Sequence, residues 1–132
     1  MKRQFQMLPQ DESFLLDHGF QYETLVEQNN HWLIIDGWAL PSGFNVAEVR
    51  LAVSMAHGYP QQQLDMVWVF PSLRLASGRP IGGMASQSIG GHTFQRWSRH
   101  RTPANPWRPG IDDLETHLDL ANAWFAKEVQ VA

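Results

Sequence analysis

Over the first half of the chain the apolar positions recur mostly every second residue, the period of a half-buried strand. A short helix is expected ahead of them. Pro9 suits a first helical turn, Asp11 and Glu12 suit the positive end of the helix dipole, and Gly19 marks an end. Phe20 to Glu27 then reads as a strand with Phe20, Tyr22, Thr24 and Val26 on one side. Asn29-Asn30 is a turn signal, because asparagine tolerates positive φ. His31 to Asp36, dense in Trp32, Leu33, Ile34 and Ile35, completes a hairpin. Val49, Leu51, Val53 and Met55 alternate with Arg50, Ala52 and Ser54, which predicts a third strand from Ala47 to Met55. His57-Gly58-Tyr59-Pro60 breaks it, since proline cannot continue a ladder. Leu64, Met66, Trp68 and Phe70 predict a fourth strand. Four successive strands on short connections predict an antiparallel meander.

From Pro71 to Gly110 the pattern dissolves, with five prolines and six glycines. So long a stretch without an element of its own is expected to be a functional flap. Trp97 and Trp107 predict that it packs on the sheet, with a short helical turn around Thr93 to His100. Ile111, Leu114, Leu118, Ala121 and Phe125 then mark one face of a closing helix. Together these elements predict an α+β fold, a meander with helices on one face, and one domain over residues 1–132.

Composition narrows the function. With 43% hydrophobic and 17% charged residues the chain is globular in character. It contains no cysteine, which removes disulfides, thiolate metal sites and thiol nucleophiles, and fits a cytoplasmic location. The net charge of −3 conceals a division. Met66 to Ile111 holds no Asp or Glu but six arginines: Arg74, Arg79, Arg96, Arg99, Arg101 and Arg108. Either this basic middle faces an anionic or acidic partner, or it pairs with the protein's own acidic flanks. Nucleic acid is the weaker choice of partner for a chain that is acidic as a whole.

Chemistry concentrates between Gly90 and Arg101, where His92, Arg96, Trp97, Ser98, Arg99, His100 and Arg101 lie together. Arginine and tryptophan dominate binding hot spots, which makes a partner-binding segment the leading expectation. Histidine moves protons near neutral pH, so His100 is the candidate catalytic residue. A serine nucleophile at Ser98 would need an oriented base and an oxyanion site, which sequence does not reveal. The scattered histidines lack metal-ligand spacing, and the glycine pairs Gly82-Gly83 and Gly90-Gly91 are not followed by a phosphate-loop Lys-Ser or Lys-Thr, so neither metal nor cofactor is expected. Tyr59-Pro60 and Trp107-Arg108-Pro109 read as structural corners.

The order of these features resembles the ubiquitin-conjugating enzyme superfamily over about residues 8 to 128: helix, meander, Gly58-Tyr59-Pro60, the apolar strand Met66 to Phe70, long flap, Trp107-Arg108-Pro109, helix. It is most similar to small bacterial members that accompany ubiquitin-like proteins and ThiF-like activating enzymes. The resemblance implies a UBC-like fold and those two classes of partner. It also implies a flap cysteine within His92 to His100 and an asparagine in a His-Pro-Asn after the fourth strand, and this chain has neither. The resemblance therefore implies a subunit that works without a thioester, holding its partners through the Arg/Trp/His segment. The alternative is an enzyme in which His100 replaces cysteine.

Overall fold

Two faces of one sheet divide the apolar residues between two cores. The computed structural model describes residues 1–130. Helix α1 (Pro9–Asp17) precedes strands β1 (Tyr22–Glu27), β2 (Asn30–Ala39), β3 (Glu48–Ser54), β4 (Val67–Phe70), β5 (Met84–Ile89) and β6 (His92–Trp97), and helix α2 (Leu114–Gln130) closes the order. The sheet is antiparallel throughout, in the order β1-β2-β3-β4-β6-β5. The α+β layout and the four-strand meander follow the alternation in the sequence. The opening and closing helices are present as expected, and the differences lie between β4 and α2 and at the edges of elements.

The stretch from Pro71 to Gly110 is not a single flap. It holds the β5–β6 hairpin, which extends the sheet beyond β4, and Thr93 to Trp97 is strand rather than helical turn. Gly90 and Gly91 make its two-residue turn, with φ of 59° and 84°. Positive φ at both central positions belongs to the turn that matches strand twist, and glycine adopts it without a Cβ clash. The fourth strand begins only at Val67, because Met66 has a φ of 59° and turns the chain before the ladder starts. Ile111 lies outside the final helix and is exposed, whereas Leu114, Leu118, Ala121 and Phe125 are buried.

Odd and even residues of each strand face opposite cores. Leu33, Ile35, Leu51, Val53, Val67, Val69 and Trp97 face the helices, where they meet Leu15, Leu114, Leu118 and Phe125. Leu25, Trp32, Ile34, Ala52, Trp68, Ile89 and Phe94 make a second cluster on the far side. The curl of the sheet encloses that second cluster, because the hairpin tip reaches back to the opposite edge. There the Gly90 N–H donates to Glu27 Oε1 at 2.9 Å, and a Cβ at Gly90 would stand 2.9 Å from Leu25 Cδ1.

Candidate functional site

The two corner motifs meet in space. The Tyr59 hydroxyl donates to Asp11 Oδ2 at 2.7 Å and accepts from the Leu114 N–H at 2.8 Å, so it ties α1 to the start of α2. The Trp107 indole N–H donates to Pro60 O at 3.0 Å, and the Tyr59 and Trp107 rings lie 6.3 Å apart. Pro109 sits in the exposed turn leading to α2. Burial raises the Asp11 carboxyl above its ordinary range, the Tyr59 hydrogen bond opposing it, and burial likewise raises the Tyr59 hydroxyl. The Asp11 carboxyl is buried and the Tyr59 hydroxyl is engaged on both sides, by Asp11 and by the Leu114 N–H, so this chain of hydrogen bonds is a fastening.

The acid-free stretch satisfies most of its charge internally. Arg79 and Arg99 both reach Glu128 on α2, at 2.6 and 2.9 Å. Burial alone would raise the Glu128 carboxyl, but hydrogen bonds from Arg79 and Arg99 outweigh it and hold the group below its ordinary value. Arg108 and Arg101 reach Asp112, at 3.1 and 3.7 Å, and the Arg108 hydrogen bonds above all hold Asp112 down to about 2. Four of the six arginines are thereby paired with carboxylates of the acidic flank.

That pairing divides the segment singled out in the sequence. Trp97 is completely buried, edge-on to Phe125 at 5.0 Å and to Phe44 at 6.0 Å, so it cannot touch a partner directly. Arg101 keeps only 7% of its side chain exposed and lies 5.1 Å from the Trp107 ring. Arg99 is half-buried across Trp97, with its Nη1 donating to Gly82 O at 3.0 Å. Arg96 is half-buried on the strand face opposite Trp97, in register with Trp68. His92 is exposed at the other end of β6, against Phe70. Ser98 lies six residue steps further along, about 20 Å at ~3.3 Å per residue, so His92 and His100 do not share a site.

Ser98 and His100 do come together, with a residue that sequence reasoning missed. Ser98 Oγ lies 3.2 Å from His100 Nε2, and His100 Nδ1 lies 3.0 Å from both carboxylate oxygens of Asp65. An ionised carboxylate only accepts, so the Asp65 contact places the ring proton on Nδ1. In the neutral ring Nε2 then keeps its lone pair for the Ser98 hydroxyl. The His100 side chain is 55% exposed and that of Asp65 is 37% exposed, so the chain of three groups opens to solvent.

Local structure holds each member. Ser98 follows the last ladder pair of β6, and its N–H donates to Gly83 O at 2.9 Å. Asp65 precedes Met66, whose positive φ carries a cost for a side chain of that size. The Met66 carbonyl is gripped from α2 by the ring N–H of His117, at 2.9 Å. Burial pushes His117 down to about 4, so the ring that holds this turn is neutral at physiological pH. Among the described residues no group of three or more His, Asp or Glu is gathered closely enough to hold a metal ion. No helix of the described residues is long and apolar enough to cross a membrane.

No curated protein and no solved structure matches the chain. A family model does match, that of Prokaryotic E2 family E, over residues 7–128, a span that takes in α1, the whole sheet, most of α2 and the Ser98–His100–Asp65 chain. With nearly its full length covered, the chain belongs to Prokaryotic E2 family E.

Proposed function

We propose that this protein is a non-thioester subunit of a bacterial ubiquitin-like conjugation pathway. It holds a ubiquitin-like protein, its ThiF-like activating enzyme, or both, against the surface around Ser98, Arg99 and His100. Membership of an E2 family supports the general role. The observation that carries the finer reading is the stretch from His92 to His100, where the family resemblance looks for a nucleophilic cysteine. It offers instead a half-buried serine hydroxyl beside an exposed imidazole oriented by Asp65. Trp97, Arg99 and Arg101 serve that surface from behind: a buried ring and two clamped guanidinium groups fix the strand end that presents it.

The reading in which His100 itself accepts the transferred group is less well supported. Its Nδ1 is committed to Asp65 and its Nε2 lone pair is aimed at Ser98, the posture of a base rather than of an acceptor.

The test is to mix the purified chain with the ubiquitin-like and ThiF-like proteins of its host. Native and denaturing intact-mass spectrometry then report what is bound. A complex with either class, present under native conditions, is the expected result. Failure of both classes to bind the folded chain at micromolar concentration overturns the proposal.

A further inference from the structure

We propose that Ser98 is an acyl-acceptor nucleophile, with His100 as its general base and Asp65 as the group that positions the base. The three residues come from two separate places in the chain, the end of β6 and the turn before β4, 35 residues apart between His100 and Asp65. They meet in the order hydroxyl, imidazole, carboxylate, which is the arrangement that activates a serine. A hydroxyl at its ordinary pKa is a poor nucleophile, and the distance of 3.2 Å to a neutral Nε2 is what allows its proton to leave as the new bond forms.

The substrate class is an activated acyl group, an acyl thioester. Ser98 Oγ bonds to the thioester carbonyl carbon while its proton passes to His100 Nε2. The carbon–sulfur bond then breaks, and the departing thiolate takes that proton from His100. The products are an oxyester on Ser98 and a free thiol, with no oxidant or reductant needed. Identifying the natural donor as the C-terminal acyl group of a ubiquitin-like protein, held as a thioester by its activating enzyme, rests on the function proposed above. The Ser98 N–H already donates to Gly83 O, so it does not stabilise an oxyanion at this centre. The oxyester should consequently hydrolyse slowly and accumulate, as suits an acceptor that hands its acyl group onward to an amine or hydroxyl.

The experiment uses the full chain with two small probes that need no partner, a fluorophosphonate and an N-acetylglycine thioester. The adduct is followed by denaturing intact mass and located by peptide mapping. We expect one adduct at Ser98, none in S98A, and a labelling rate at least about 100-fold lower in H100A, the scale of general-base catalysis. D65N should lose about 10-fold and D65E should recover part of that, a pattern that loss of fold would not give. S98C should acylate at the same position at least as fast as the wild type, and thermal unfolding monitors whether each variant is folded. No adduct at Ser98 in the folded wild type, or labelling unchanged by H100A, overturns the proposal. Partner capture separates the two readings. Capture without Ser98 acylation leaves the docking function and removes this chemistry, and Ser98 acylation without capture does the reverse.

Discussion

Two hydrogen-bonded chains of similar make-up lie in different surroundings. In one, the Leu114 N–H, the Tyr59 hydroxyl and the Asp11 carboxyl run from α2 to α1, with Asp11 only 2% exposed. In the other, a half-buried Ser98 hydroxyl meets a His100 imidazole and an Asp65 carboxylate that open to solvent. The first chain joins two helices through a carboxyl shut away from water, and its worth is mechanical. The second includes an imidazole that is 55% exposed, where a reactant can reach it. Similar polar groups thus fasten the fold where water is excluded and are free for chemistry where it is not.

Substitutions should separate the two regions by size of effect. The largest belongs to the core behind the exposed chain: Trp97→Ala should cost about 3–5 kcal/mol, read as a fall in the denaturant midpoint, because it empties a fully buried ring site against Phe44 and Phe125. A W97A protein that folds normally would return Trp97 to the list of possible partner contacts.

The next effect is pH-dependent. An unfolded histidine titrates near 6.5, whereas burial pushes His117 down to about 4. As pH falls below about 6.5 the unfolded chain takes the proton and the folded chain does not. The contribution is therefore complete above that value and is lost progressively down to about pH 4, amounting to about 3 kcal/mol. The difference between wild type and His117→Gln in urea midpoints across this window isolates it, and parallel curves for the two proteins would contradict it.

Tyr59→Phe comes third. It strands the Asp11 carboxyl and the Leu114 N–H without their shared hydroxyl, which should cost about 1–3 kcal/mol by chemical denaturation. Smallest of all, Ser98→Ala and His100→Ala should shift stability by no more than about 0.5 kcal/mol, as expected of a small half-buried side chain and an exposed one outside the core. A large loss in either would make the exposed chain a structural device after all.

The legible part of the molecule was the part with clean periodicity. The β1–β2 hairpin and β3 could be read because Trp32 to Ile35 and Val49 to Met55 carry strong apolar patterns. β5 could not, because Met84-Ala85-Ser86-Gln87-Ser88-Ile89 buries only Ile89 completely and looks polar in sequence. A signal was available in Gly90-Gly91, which is a hairpin turn pair as well as a pair of loop glycines. The corner motifs stood out as breaks in the pattern, and the contact between them through Pro60 was not visible in sequence. Of the site, Ser98 and His100 stood out through proximity in the chain. Asp65 did not, because it joins them only after β4 and β6 pair. The arginines left two readings open, an outside partner or the protein's own acidic flanks, and only the fold, which brings Glu128 and Asp112 to four of them, decides for the second at those positions.

The central claim, that this family member works through the exposed Ser98–His100 surface, is tested most directly by one comparison. The Ser98→Ala/His100→Ala double variant is set against Tyr59→Phe in capture of the host's ubiquitin-like and ThiF-like proteins, each variant first shown to be folded by thermal unfolding. The double variant is expected to keep wild-type stability and lose capture, while Tyr59→Phe is expected to lose stability and, where still folded, to capture normally. A folded double variant that captures both partners as well as the wild type would contradict it.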